Sequence, residues 1–460
     1  MYMKIDKFIW SLVLATVVTP LSAKILWDKE DSDLRRAEHF VHVESDHSKA
    51  NEFFQQAANR QNGYAIAGLA FLTARGDGVP PDIEKATKLA GEILDGLLER
   101  VKLNDPRAMF YLGRLYQVGV GIEANTTKAF DLQLKAAKMG DPHAMIAVGY
   151  YYSYGIGVKQ NFTEEVKWYE EASRRGIAVA TNNIGVKYLD ARGVERDYQK
   201  AFEYFKSALT KNNAYAKFNL GQMYRFGIYV NKDIDMAIEY LEASANQAHT
   251  GAMYQLGRIY REGKEKPRDY KKAYAWFNRA AKLGDGESLA VIAYMHEMGE
   301  FFKKDYLKAF ELYAKSAKYG SSYGLKRMGW FYERGMGVNK NIQEAIHFYT
   351  MAAQSDDAWV CYRLGNLYRT LPPPTQNFEL AVKYYTISAM QDYELALLEL
   401  ATMFRLGQGV EKDQAKAEFL LSRAAVNGSV KASILLQQFS SNGDAYYQGP
   451  ETTGYYPLPQ

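Results

Sequence analysis

Residues Leu112–Gly121 read LGRLYQVGVG, with glycines at 113, 119 and 121. A glycine-rich stretch of this kind raises the question of a phosphate-binding loop. Such a loop needs a strand before it and a Lys-Ser/Thr pair or an opening dinucleotide helix after it. Neither is present. Instead the same spacing recurs along the chain, and that recurrence decides the fold.

Stepping by 36 from Gly113 reaches Gly149, Gly185, Gly221, Gly257, Ala293, Gly329, Gly365 and Ala401, all small residues. Three positions beyond each lie Tyr116, Tyr152, Tyr188, Tyr224, Tyr260, His296, Tyr332, Tyr368 and Phe404. A second series keeps the same period: Ala129, Glu165, Ala201, Ala237, Ala273, Ala309, Ala345, Ala381 and Ala417. An earlier copy is anchored on Gly68, Phe71 and Ala86, and a half copy surrounds Ala50. A fixed period of this length is the signature of stacked helical units, none of which can bury a face alone.

Each unit reads as two helices. Asp141-Pro142 opens the first, a cap followed by proline at the first turn. Ala144, Val148 and Tyr152 then line one side at a spacing of four. Gly155-Ile156-Gly157-Val158 closes a turn, and Val166, Tyr169 and Ala172 mark the inner stripe of the second helix. The small residue predicts close approach of two helix backbones, with the ring three residues on expected to fill the space beside it. Gly113 is therefore read as a packing position, and Gly119 and Gly121 as a turn.

The stretches AMFYLGRLYQVGVGI, GLKRMGWFYERGMGV, KAYAWFNRAAKLGD and EEVKWYEEASRRG resemble the Sel1-like repeat family, relatives of the tetratricopeptide repeat. The likeness covers about Ser48 to Gly428. It implies an all-α, right-handed α/α superhelical solenoid of about ten 36-residue helix-turn-helix repeats. Two departures stand out. His296 replaces a ring, and RTLPPPTQN, with Pro372 to Pro374, replaces a glycine turn. The step from Gly68 to Gly113 is nine residues over the period. Most of the excess falls in KATKLAGEILDGLLERVKLND, a lengthened helix read as an irregular edge and a candidate contact point.

The resulting division is an export signal at 1–23, a capping half-repeat at 24–62, the solenoid at 63–428, a capping helix at 429–440 and a flexible Tyr/Gly/Pro-rich tail at 441–460. The signal rests on Lys4 and Lys7, the apolar run Phe8 to Val18, and the small residues Ser22 and Ala23. The expected location is the periplasm or the secreted fraction of a bacterium. The alternative is the lumen of the endoplasmic reticulum, where the likeness points to quality-control adaptors. Acceptor triplets at Asn125, Asn161 and Asn427 suit that alternative, although no C-terminal membrane anchor of that branch is present.

Composition limits the remaining functions. The 460 residues carry a formal charge of only +4, with no basic run, so nucleic acid is not an expected partner. No nucleophile-base motif occurs, and the single Cys361 reads as core filler. His39 and His42 share a helical face, and Glu44 or Asp46 could join a metal there. No second ligand pair accompanies them, so no metal is assigned. Glu164-Glu165 and Glu170-Glu171 read as a solvated face. No catalytic residue, cofactor or metal is assigned, and the chain is read as a non-enzyme.

Partners of tetratricopeptide-like scaffolds lie on the concave face lined by the first helices. The resemblance carries that role to positions −6, −3, +1 and +4 from each packing glycine. The candidate groove residues are Tyr215, Phe218, Arg225, Tyr254, Arg258, Arg261, Tyr294, Trp330, Trp359 and Tyr362. The same register gives Phe110 and Arg114 earlier in the chain, and the acids Glu297 and Glu333 later. Rings and arginines dominate interface hot spots. The expected partner is another protein, gripped through an extended or acidic segment, with no membrane insertion after signal removal.

Overall fold

A computed structural model describes residues 25–441. The expected export signal and the tail from 442 onward lie outside the described residues. Among these residues there are 23 α-helices, and the single bridge pairs Leu26 with Asn62. The helices follow one another as pairs, an all-α solenoid.

Local chemistry sets the ends of each pair. Pro106–Val118 and Pro142–Tyr154 are the first helices of two successive repeats. The carboxylate of Asp105 accepts the backbone N–H of Arg107 at 3.0 Å, and that of Asp141 accepts those of His143 and Ala144 at 2.9 Å. These satisfy N–H groups that have no partner within the helix, and proline at the first position lacks one. Gly119 ends the first of these helices at φ 71°, sending its N–H to the Leu115 carbonyl at 2.8 Å. Gly121 does something different. At φ 69°, it brings the turn against the preceding repeat, where a Cβ would stand 2.6 Å from that of Ala90. At the equivalent Gly157 a Cβ would overlap the Thr126 carbonyl.

The packing glycines face a residue the sequence reading did not choose. A Cβ on Gly185 would come within 2.7 Å of the Phe205 ring, on Gly257 within 2.6 Å of Phe277, and on Gly329 within 2.6 Å of Tyr349. In each case that ring stands 20 residues on, in the second helix of the same repeat. The ring three residues beyond the glycine is rotated by about 60° around the helix and reaches the rim instead. There it stacks in parallel on another ring: Tyr188 on Tyr204 at 5.7 Å and 11°, and Tyr368 on Tyr384 at 5.8 Å and 4°. Even His296 keeps this habit, stacking 4.1 Å from Phe302.

The chain divides into two compact units. Among the described residues, the first takes in those up to Leu220 with Ile228–Val230, the second Gly221–Gly227 and those from Asn231 onward. In the first unit one continuous core joins Leu34 to Ile184. It includes an N-terminal structure richer than a half-repeat: helix Ser32–His39, a π-helical turn Phe40–Glu44, and helix His47–Asn59. The lengthened helix is Ile83–Lys102, and its extra turns carry Gly96 and Arg100. Trp27 lies so close that a Cβ on Gly96 or Gly63 would meet its ring at 2.5 or 2.7 Å. The Arg100 guanidinium is 5.6 Å from the same ring. The expected irregular edge thus receives the chain's own N-terminal segment.

One acid corrects the reading of a solvated face. Glu165 holds a position that is alanine in the other repeats of that series, so it is fully buried. Lys187 Nζ meets it at 2.6 Å.

Candidate functional site: the first-helix face and its ion pairs

In the first unit Tyr215 and Phe218 are half-buried on helix Ala214–Phe226. The Tyr215 ring lies 6.4 Å from that of His47. In the second unit, Tyr254, Tyr294, Trp330 and Trp359 are also half-buried, so each offers part of a ring to solvent. Trp330, on helix Ser322–Arg334, and Trp359, on helix Ala358–Thr370, stand 6.0 Å apart with planes inclined by 57°. Arg334 covers the Trp330 ring at 4.6 Å. Lys326 lies 5.5 Å from Tyr323 and 5.7 Å from Trp359, and its charge is met by Asp357 at 3.0 Å. These side chains form a surface of rings with cations set over them, a geometry worth about 0.5–1 kcal/mol per exposed pair.

Two candidates do not line that surface. Arg225 is only 5% exposed, with both Nε and Nη2 on the Glu265 carboxylate at 2.9–3.0 Å and Nη1 on Gln255 at 2.7 Å. Tyr362 is 6% exposed, its ring 5.3 Å from Tyr393 and 6.1 Å from Tyr385. The arginine patch is also already compensated by the chain's own acids. Arg261 is bound to Glu300 at 2.6 Å and lies 4.8 Å from the Tyr294 ring. Arg258 reaches Glu262 at 2.7 Å but keeps 42% of its side chain exposed. Of the three arginines Arg258 is the most exposed.

The sequence reading missed a buried ladder in the second unit. Glu297 accepts the Tyr313 hydroxyl at 2.8 Å and pairs with Arg327. One repeat later Glu333 accepts the Tyr349 hydroxyl at 2.9 Å and pairs with Arg363. A repeat further on the polarity reverses. Arg369 occupies the acid's position and meets Glu399 at 3.2 Å, while its Nε donates to the Tyr385 hydroxyl at 3.3 Å. Burial pushes the Tyr313 and Tyr349 hydroxyls well above their usual range, so both remain donors. Burial likewise raises Glu399, against the pull of Arg369. A signal was available: opposite charges 30 residues apart, recurring every 36.

His39 and His42 do not act together. His39 Nε2 lies 3.1 Å from Glu44 at the surface, whereas His42 is buried against His143. Among the described residues no group of three or more His, Cys, Asp or Glu side chains could hold a metal ion. No helix among them is long and apolar enough to cross a membrane. Cys361 is fully buried, and burial, with Asp356 and Asp357 nearby, pushes its thiol up to about 11. At pH 8, alkylation of the native chain by iodoacetamide is expected to be at least tenfold slower than in 6 M guanidinium. Equal rates would place the thiol in solvent.

Serial helix pairs sharing one repeat register, with ion pairs bridging neighbouring repeats, define an α-solenoid repeat protein. The Sel1 repeat profile matches residues 41–62, 63–90, 106–141, 142–177, 178–213, 214–249, 250–285, 286–321, 322–357, 360–393 and 395–429, and the chain belongs to this family. Among solved structures it is similar to a protective antigen present in uropathogenic Escherichia coli strains displaying an SLR fold. That likeness has 28% identity, a TM-score of 0.47, and coverage of 85% of this chain and 83% of the other. A Sel1 repeat protein from Oxalobacter formigenes is 22% identical with a TM-score of 0.49, covering 67% of this chain and 89% of the other. No curated protein matches the chain.

Proposed function

We propose that this chain is a non-catalytic scaffold that captures partner proteins on the first-helix face of its second unit, in a bacterial envelope or secreted setting. The paired, half-exposed Trp330 and Trp359 carry the reading. Rings that pack only for stability are expected to be fully covered, as Tyr313 and Tyr349 are. Tryptophan and arginine side by side are the residue types that dominate binding energy at protein interfaces. The fold supplies successive first helices as a regular platform. All three arginines are paired with the chain's own acids, and Arg258, the most exposed of them, is left with the rings to meet a partner. The expected ligand is an extended segment that lays apolar side chains across the tryptophans and an acid near Arg258.

The test replaces Trp330 and Trp359 with alanine in the full chain and measures capture of the native partner alongside helicity and melting. Partner affinity is expected to fall at least 30-fold, about 2 kcal/mol or more, as for a hot-spot ring. Far-ultraviolet circular dichroism should be unchanged. Undiminished capture would remove this face from the function. The envelope setting is tested separately by fractionating the source cell, where recovery from the cytoplasm alone would contradict it.

A further inference from the structure

The first unit carries a second, separate site that is already occupied. Glu38, in helix Ser32–His39, and His42, in the turn Phe40–Glu44, contact Arg107, Phe110 and His143, which hold the −6 and −3 positions assigned to partners in the following repeats. Glu38 accepts the Tyr111 hydroxyl at 2.9 Å and the Arg107 guanidinium at 2.9 Å. Four residues on, the buried His42 ring stacks on His143 at 4.1 Å and meets Phe110 edge-on at 5.9 Å. The end of the segment is held by backbone recognition. Asn213 donates to the Val43 carbonyl at 2.7 Å and to Ser45 Oγ at 3.0 Å, and Asn212 donates to Glu44 at 2.7 Å. The hold is long-range in sequence, from residue 43 to residue 213. Helix His47–Asn59 covers the first repeat by placing Phe54 against Gly68, while Leu34 and Ala37 of the segment are buried in the same core.

We propose that residues 33–46 are a tethered ligand of this face, released when His42 takes up a proton, and that the vacated site accepts a partner peptide bearing a carboxylate four residues before an uncharged aromatic ring. The chemistry follows from the contacts. The Arg107–Tyr111 pair reads a carboxylate. The slot between Phe110 and His143 reads a flat ring, and an imidazolium is a poor occupant of it. His42 is faced by His143 on helix Pro142–Tyr154, by Arg107 and Arg114 on helix Pro106–Val118, and by His47 beyond the turn. On its own segment, Glu38 is engaged by Arg107 and Tyr111 and stands 4.0 Å from His143, Glu44 is met by His39 and Asn212, and Asp46 by Lys49. Asp141, at the head of the His143 helix, is committed to its cap.

Burial, followed by these cations, holds the His42 imidazole well below its ordinary value of 6.5. The docked state therefore binds fewer protons than the released state. Docking is complete above about pH 6.5 and weakens as the pH falls through that value, by up to tenfold per unit for one proton. Between pH 7.5 and 5.0 the expected loss is roughly 30-fold. A partner with phenylalanine in place of the imidazole has no such proton to exclude, so acid shifts the competition toward it.

The experiment uses the full chain. Hydrogen exchange of amides 33–46, corrected for intrinsic rate, is measured at pH 7.5 and pH 5.0. Protection is expected to fall roughly 30-fold in the native chain and to lose that pH dependence with His42→Phe. Glu38→Gln, which leaves every histidine in place, is expected to expose the segment at both pH values. In a second arm a fluorescein-labelled peptide of residues 33–46 carrying His42→Phe is titrated onto the native chain. Its binding should be at least tenfold tighter at pH 5.0 than at pH 7.5. Equal protection of the native segment at both pH values would overturn the release. Absence of peptide binding at pH 5.0, with the segment open, would overturn the vacant site. Neither outcome bears on Trp330 and Trp359, so failure here is distinguishable from failure of the second unit's proposed role.

Discussion

Replacing Arg327 with alanine is expected to lower the stability of the second unit by about 3–5 kcal/mol, the usual cost of leaving a buried charge unpaired. Glu297 would keep only the Tyr313 hydroxyl, in a site where its side chain is 8% exposed. The favourable energy of the pair itself is not the point, because desolvating both charges offsets most of it. Removing both partners, as Glu297→Leu with Arg327→Met, is therefore expected to cost less than Arg327→Ala alone. The ladder also supplies its own control. Since Arg369 and Glu399 sit at the equivalent positions with signs exchanged, the double swap Glu297→Arg with Arg327→Glu should recover at least half of the loss. Recovery should stay incomplete, because Tyr385 donates its hydroxyl proton to Asn366 at 2.7 Å. The corresponding position beside Tyr313 is Tyr294. Urea midpoints of the four chains measure all of this. A stability for Arg327→Ala equal to the native value would show that Glu297 is not confined.

The second large effect is expected at Gly329. Valine there would gain only roughly 0.3–0.5 kcal/mol of helix propensity over glycine. Against this, the new Cβ would stand 2.6 Å from two carbons of the Tyr349 ring. That ring cannot swing away freely, because its hydroxyl is bonded to Glu333, which Arg363 holds in turn. Overpacking of about 1–3 kcal/mol is therefore joined by loss of a buried charge-assisted hydrogen bond of about 1.5–3 kcal/mol. The sum outweighs propensity, so Gly329→Val should destabilise by about 3 kcal/mol. Thermal melting of Gly329→Val beside Gly140→Val gives the comparison, since nothing lies near the position a Gly140 Cβ would take. Gly140 has φ 95°, so its own substitution reports backbone strain without a packing clash. A Gly329→Val melting point equal to that of the native chain would deny the ring its role.

The period of small and ring-bearing residues was enough to read helix pairs, their caps and their turns, because those depend on neighbours within one repeat. Tyr116 and its equivalents were assigned the wrong partner for a related reason. Spacing shows which residues share a face but not which residue of the other helix meets the glycine. The register at +20 becomes visible only when the two helices are packed. Arg225 and Arg261 looked like free interface arginines because Glu265 and Glu300 lie in turns, where no periodic signal marks them. The N-terminal segment was the least legible part. Only its end, from residue 41, falls within a repeat, and its recognition by Asn213 spans 170 residues. Spacing put His39 and His42 on one helical face, whereas His42 alone is buried.

The proposed function rests on first-helix rings left half-exposed, Trp330 and Trp359 among them, while second-helix rings such as Tyr313 and Tyr349 are buried. Site-directed photo-cross-linking in the source cell tests that claim most directly. A benzophenone side chain would be placed in turn at Tyr294, Trp330 and Trp359 on first helices, and at Tyr270 and Phe419 on second helices. The account predicts cross-links to a common partner protein from the first three positions and none from the other two. Cross-links from the second-helix positions alone, or from all five alike, would contradict it.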